Sequence, residues 1–167
     1  MKNSKQWWDE TKNNPAKLNN WLQRQCYGEY QAYKRIKELS KRFDNVLLEK
    51  IANQEYKHYK WIRNYLETRG INPITEHDER YWKEVNLDFQ NIEQASAVGH
   101  HAEVMRLERI KVIAQDNLHS ELATIFKKIQ KDEEFHFKAF KSLTTEEDIE
   151  IAKIDHEIGM LQLGLTI

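Results

Sequence analysis

The sequence predicts an all-α protein organised as a four-helix bundle with short terminal helices, on three observations. Only 5 Gly and 2 Pro punctuate 167 residues. Between them, apolar residues recur at intervals of three and four, the period of an amphipathic helix. The helical stretches also fall into two hairpins separated by a long connection. The first helix runs roughly from 15 to 41: Asn14-Pro15 reads as an N-cap followed by proline at the first helical position, and Leu18, Leu22, Ala32, Ile36 and Leu39 trace one face. A short turn in KRFDN follows, with Asp44 or Asn45 capping a second helix whose inner face reads Leu48, Ile51, Ala52, Ile62 and Leu66. Gly70 ends that helix. From Gly70 to about Phe89 the chain is long enough for a crossover, and EHDERYWKEV within it is expected to form a short helix. The third helix, roughly 90–115, carries Ile92, Ala95, Gly99, Leu107, Ile110, Ile113 and Ala114 on one stripe. After the turn DNLHS, the fourth helix, roughly 120–142, puts Ile125, Phe126, Ile129, Phe137, Phe140 and Leu143 inward. Thr144-Thr145-Glu146-Glu147 reads as a capping box that opens a smaller helix. That helix is expected to bury Ile151, Ile154, Ile158 and Leu161 and to leave Glu146, Glu147, Asp148, Glu150 and Glu157 on a solvated face. Residues 1–167 are expected to form one domain, with the bundle core at about 15–143 and an accessory C-terminal helix at about 145–162.

Composition narrows the function. With 40% hydrophobic and 32% charged residues the chain can bury a core beneath a charged surface. Lys+Arg 26 against Asp+Glu 27 gives a formal charge of -1, so no field of one sign favours nucleic acid or an anionic membrane. The N-terminal stretch MKNSKQWWDETKNNP lacks the apolar run of a signal peptide, and no segment approaches the roughly 18 apolar residues of a membrane span, so a cytoplasmic location is expected. The lone Cys26 excludes a disulfide or a CxxC metal knuckle within the chain. Any bound metal must rely on His and carboxylate.

Each of the four inner stripes is interrupted by a carboxylate, and burying an unpaired carboxylate costs several kcal/mol. Glu29 breaks the first stripe, between Leu22 and Ile36. Glu55 breaks the second, with His58 one turn on; Glu103 breaks the third, before Leu107 and Ile110; Glu133 breaks the fourth, followed by His136. The order Glu, Glu-x-x-His, Glu, Glu-x-x-His repeats. Residues three apart project from the same side of a helix, so carboxylate and imidazole can reach one metal, and oxygen and imidazole ligands suit Fe or Mn. Two divalent cations would also offset four like charges. One Glu-x-x-His is weak evidence among 19 Glu and 7 His; the weight lies in the repeat and in the spacing. Glu29 and Glu55 are centred on residue 42, and Glu103 and Glu133 on residue 118, each in or beside a hairpin turn, which sets antiparallel ligands at equal height.

Other assignments compete. Glu108 is the rival on the third helix but has the more polar neighbours Val104, Lys111, Val112 and Gln115, and Glu134 lacks a His three residues on. Asp116-x-x-His119 falls in a turn. His100 is either an additional ligand or a nearby polar residue, and Cys26, Tyr33 and Tyr59 share phase with the ligands, either as redox-active neighbours or as packing. A metal-free bundle is the remaining alternative, with its acids paired only to the two inward His and to Arg106.

With these residues in place, about residues 18–142 resemble the ferritin-like di-iron carboxylate superfamily, which includes rubrerythrins, bacterioferritins, di-iron oxygenases and ribonucleotide reductase small subunits. GEYQA at 28–32 is similar to the first-helix motif of rubrerythrins. The resemblance implies Glu29 and Glu103 as terminal carboxylates, Glu55 and Glu133 as bridging carboxylates, and His58 and His136 as one nitrogen ligand per metal. Arg106 stands where a rubrerythrin would offer a further glutamate. The cofactor implied is two Fe ions, alternatively Mn/Fe or Mn. The activity implied is oxidoreduction with O2 or peroxide, an external electron donor and a small organic substrate, in a homo-oligomer such as a dimer. Ferritin-type ferroxidase and storage activity is the alternative, although ferritins usually place more than the 26 residues from Glu29 to Glu55 between those ligands.

Overall fold

Side-chain caps decide where most of the helices begin. The computed structural model describes residues 2–73 and 79–165, which are mainly helical. After a short helix α1 (Ser4–Thr11), α2 (Pro15–Arg42) starts where Asn14 Oδ1 accepts from the Lys17 amide at 3.1 Å, with Pro15 in the first turn. Helix α3 (Val46–Glu67) is capped by Asn45, whose Oδ1 accepts from the amides of Leu47 and Leu48. Helix α4 (Ile92–Ala114) is capped by Asn91 and helix α6 (Glu146–Gln162) by Thr145. Helix α5 (Ser120–Ser142) follows a 3-10 turn, Asn117–His119, which is itself capped by Asp116.

The chain divides into two compact units. The first, Asp9–Asp78, is the hairpin of α2 packed on α3. Its turn is tight: Asp44 takes a left-handed φ of 46°, and Asn45 caps the next helix. Leu18, Leu22, Ala32 and Ile36 of α2 are buried, as are Leu48, Ile51, Ala52, Ile62 and Leu66 of α3. Beyond α3 the chain turns through Gly70 at φ +69°, where the Ile71 amide donates to the Leu66 carbonyl.

The second unit comprises Met1–Trp8 and Glu79–Ile167. Helix α4 packs on both α5 and α6. Trp8 is buried here, donating from Nε1 to Asp116 Oδ2 at 2.7 Å, so the acid of the sequence pattern Asp116-x-x-His119 is engaged in capping and in holding Trp8. Of EHDERYWKEV, residues 76–78 lie outside the described residues, and the remainder forms a turn, not the helix expected. Tyr81, Val85 and Phe89 are buried at helical spacing, but among the described residues of this stretch only the bond from the Lys83 amide to the Glu79 carbonyl has the helical i to i−4 pattern.

Helix α6 reverses the expected orientation. Ile151, Ile154, Ile158 and Leu161 are exposed, at 64%, 65%, 39% and 47%, whereas Ile149 and Gly159 are buried. The decisive contact is Tyr81 over Gly159. A Cβ at Gly159 would stand 2.6 Å from Tyr81 Cδ2 and 3.1 Å from the Tyr81 carbonyl oxygen, so only glycine admits the ring. Tyr81 Oη lies 2.8 Å from His156 Nδ1, and His101 donates from Nε2 to the Ile149 carbonyl at 2.8 Å while stacking on His156 at 4.7 Å. These polar contacts orient the helix, and the isoleucine stripe is left outside.

A paired substitution tests this packing. Gly159→Ala is expected to destabilise the protein by about 1–2 kcal/mol, because overpacking outweighs the gain in helix propensity. Gly28→Ala in α2 has nothing within 4 Å of the new Cβ. It should therefore stabilise by about 0.5–1 kcal/mol through helix propensity alone. Urea unfolding of both variants checks the opposite signs, and a stabilised Gly159→Ala would show that Tyr81 does not rest on α6.

Candidate metal centre

In each hairpin the two helices bring one Glu opposite a Glu-x-x-His pair. In the Asp9–Asp78 unit, Glu29 of α2 is 1% exposed, and Glu55 and His58 of α3 are fully buried. His58 Nδ1 lies 3.5 Å from Glu29 Oε2 and 3.3 Å from Glu55 Oε2. In the other unit, Glu103 of α4 is 1% exposed, and Glu133 and His136 of α5 are fully buried. His136 Nδ1 lies 3.7 Å from Glu103 Oε1 and 3.3 Å from Glu133 Oε2. In each triad the three donor atoms lie within 4.8 Å of one another. Two chemically identical triads thus arise from two different hairpins. Both depend on i, i+3 spacing on one helix and on equal height across a short turn.

The surroundings of the triads differ. Gln25, one turn before Glu29, donates from Nε2 to Glu29 Oε1 at 2.6 Å. The Trp61 ring lies 5.7 Å from that of His58. At the other triad a cation takes the corresponding place: Arg106 Nη1 is 3.7 Å from Glu103 Oε1. The second oxygens of the two α2 and α4 acids, Glu29 Oε2 and Glu103 Oε2, are buried with no hydrogen-bond donor among the described residues.

Burial makes ionisation costly in both triads. Burial, followed by the charge of Glu55, pushes the Glu29 carboxyl up from 4.5 to about 8, against the opposing pull of His58. Burial and then Glu133 raise Glu103 well above the carboxylate range, despite His136 and Arg106. Each triad in its ionised form carries two negative charges beside a neutral imidazole, and one divalent cation balances it. The donor set of carboxylate oxygen and imidazole nitrogen suits Fe, Mn or a similar ion. The spacings fit as well, because two donors each about 2.1 Å from a shared cation and about 100° apart are about 3.2 Å from each other. A cation would also satisfy the orphaned oxygens of Glu29 and Glu103.

The remaining sequence candidates are placed elsewhere. His100 is buried against Phe137 and His101, with ring centroids at 4.8 and 5.6 Å, and belongs to neither triad. Glu108 and Glu134 are exposed, and Glu134 accepts from Gln130. Tyr33 and Tyr59 pack in a group of tyrosines on the α2–α3 hairpin. Cys26 is buried; its thiol is 3.7 Å from the Tyr59 carbonyl and is pushed up to about 12 by burial and then by Glu29, so it stays neutral. Gln25 was the residue that sequence reasoning passed over, although its position four before Glu29 was a usable signal.

A family model described as Rubrerythrin matches residues 20–144, a stretch that contains all six triad residues. The chain belongs to the rubrerythrin family. Rubrerythrins are ferritin-like di-iron carboxylate proteins, which agrees with the all-helical architecture and with the buried Glu/His triads. Comparison with curated proteins and with solved structures returned no match. The rubrerythrin-family match ends at residue 144, just before α6, so α6 and its contacts to Tyr81 lie wholly or partly outside it.

The raised carboxyls give a pH dependence. Between 4.5 and about 8, folded Glu29 holds a proton that the unfolded chain has released, so stability falls as pH rises through that window. Glu103 acts in the same direction. The melting temperature of the metal-free protein is therefore expected to drop by several degrees across the window, and loading with Fe(II) or Mn(II) should flatten the slope. Thermal melts with and without metal check this. A flat metal-free profile would mean that the triad carboxylates are ionised without a counterion.

Proposed function

We propose that the protein is a non-haem di-iron, or manganese-containing, carboxylate oxidoreductase that reduces O2 or peroxide with electrons from an external donor. The observation that carries this reading is the repetition of one buried set, two carboxylates and one imidazole, in each hairpin, with an unsatisfied carboxylate oxygen in each. Membership of a di-iron family supports it. Glu29, Glu55 and His58 would hold one ion, and Glu103, Glu133 and His136 the other. A reduced metal pair supplies the two electrons that cleave an O–O bond.

The chain's own residues prepare the donors and exclude water. Gln25 fixes the Glu29 carboxylate through one oxygen and leaves the other for metal. Arg106, half-buried, sets a positive charge 3.7 Å from Glu103 Oε1, and Glu103 Oε2 is likewise left for metal. Leu22, Ala32, Ile51, Ala52 and Ile62 shield the α2–α3 triad, and Leu107, Ile110, Phe126, Ile129 and Phe140 line the corresponding stripes of α4 and α5. In such surroundings ionised ligands are held by the cation and not by solvent, which makes metal affinity steeply dependent on each ligand. Protons held by Glu29 and Glu103 leave as metal enters, so binding should acidify a weakly buffered solution.

The test is metal content followed by reactivity. Protein loaded anaerobically with Fe(II) and desalted should retain about two ions per chain, one per triad. Glu55→Ala and His136→Ala should each lose metal and lower the rate of Fe(II) oxidation by peroxide at least about tenfold, as expected for loss of a ligand. Size exclusion then separates a small oligomeric oxidoreductase from a closed storage shell. No retained metal after Fe(II) or Mn(II) loading would overturn the proposal.

A further inference from the structure

The two triads match in their ligands but differ in the residue that comes after each ligand along the chain. Glu29 is followed by Tyr30, Glu55 by Tyr56 and His58 by Tyr59, whereas Glu103, Glu133 and His136 are followed by Val104, Glu134 and Phe137. With Tyr33, one turn beyond Tyr30, these tyrosines form a contiguous quartet across the α2–α3 hairpin. Ring centroids are 4.9 Å apart for Tyr33 and Tyr56, 5.1 Å for Tyr30 and Tyr59, 5.8 Å for Tyr56 and Tyr59, and 6.1 Å for Tyr30 and Tyr33. The two shortest contacts each join one helix to the other. Tyr56 reaches solvent at 39% exposure, and the other three are half-buried.

Packing alone does not account for this composition. Phenylalanine would fill the same space, and the apolar interior of the hairpin is already supplied by leucine, isoleucine and alanine. What the hydroxyl adds to the ring is a low cost of one-electron oxidation, provided that the phenolic proton can leave. Cations lie over three of the rings: Lys34 Nζ at 5.3 Å from Tyr30, Lys60 Nζ at 5.1 Å from Tyr56, and the Arg63 guanidinium at 5.9 Å from Tyr59. They disfavour a positively charged ring radical. Oxidation there must therefore release the proton, and water beside Tyr56 can take it.

We propose that Tyr30, Tyr33, Tyr56 and Tyr59 form an oxidation sink for the α2–α3 triad, ending in a covalent dityrosine bond between Tyr33 and Tyr56. The proposal rests on the metal-dependent function above for its source of oxidant, and on ring geometry for its product. Each of the two phenols loses one electron and one proton, and the two phenoxyl radicals join through ring carbons ortho to the hydroxyls. Hydrogen peroxide takes up the two electrons and two protons and becomes two waters. Oxidising equivalents that miss their substrate are then spent on the quartet, and the ligands one residue away are spared. The bond would also tie α2 to α3.

Two oxidants test the site separately. The metal-free protein is illuminated with tris(bipyridine)ruthenium(II) and persulfate, and the Fe(II)-loaded protein is treated with hydrogen peroxide. After trypsin, both should yield residues 25–34 joined to residues 51–57 with the loss of two hydrogens, together with dityrosine fluorescence in monomeric protein. Tyr56→Phe should abolish that crosslink in both arms and leave the iron content unchanged. Absence of the crosslink after illumination would overturn the quartet as a coupling site. A crosslink after illumination, but none with peroxide in protein that demonstrably holds iron, would overturn the triad as its source. Failure to bind iron would instead bring down the functional reading, and with it the triad as source, while the illuminated arm still decides on the quartet.

Discussion

The burial of two carboxylates beside one imidazole, once in each hairpin, is the constraint on which the rest of the structure turns. An ionised carboxylate in an apolar interior is among the most expensive groups a fold can carry, and here two stand within 4 Å of the same ring nitrogen. Neither hairpin softens that cost with solvent, since five of the six triad side chains are at most 1% exposed and Glu103 is at most 2%. What the chain provides is a partial set of partners. His58 and His136 pull the carboxyl pKa values down, Gln25 and Arg106 each engage one oxygen, and the net shift is still upward. A site built this way is stable when protonated or when metallated. Such a coupling between proton and metal would serve the proposed metal centre, whereas a purely structural ion pair would have no use for it.

Helix register follows from the same constraint. A residue inserted anywhere between a ligand and its turn rotates that ligand by about 100° and moves it off the buried face. The turns are accordingly short and well fixed. Asp44 adopts a left-handed conformation and Asn45 caps α3 at once, while Asp116 caps the 3-10 turn before α5 and accepts a hydrogen bond from the Trp8 indole. Trp8, remote in sequence from any ligand, thereby anchors the turn that sets Glu133 and His136 opposite Glu103.

The same logic explains which features were legible in the sequence. Asn14-Pro15, Asn45 and Thr145 are cap residues whose chemistry is local, so helix starts could be read directly. The buried Glu/His triads could be read because a Glu inside an apolar stripe is itself the anomaly. Helix α6 misled, because apolar spacing shows that a helix is two-faced without showing which face is covered. There the covering is decided by a glycine that admits Tyr81 and by the imidazoles of His101 and His156, neither of which carries a periodic signal. The stretch EHDERYWKEV misled in the opposite direction: Tyr81, Val85 and Phe89 are buried although the described residues around Tyr81 form a turn with one helical bond.

Equal donor sets would not make equal metal positions. At Glu29 the neighbouring group is the neutral amide of Gln25, which donates to it, and at Glu103 it is the guanidinium of Arg106, 3.7 Å away. A fixed positive charge next to a ligand carboxylate weakens its donation and disfavours a further positive charge on the bound ion. An ion held by Glu103, Glu133 and His136 should therefore resist oxidation more than one held by Glu29, Glu55 and His58. The readily oxidised position would then belong to the triad whose ligands are each followed by a tyrosine. Arg106, Gln25 and the tyrosines thus break one symmetry in the same sense, and the oxidising chemistry proposed above would fall on the hairpin that has oxidisable rings to receive it.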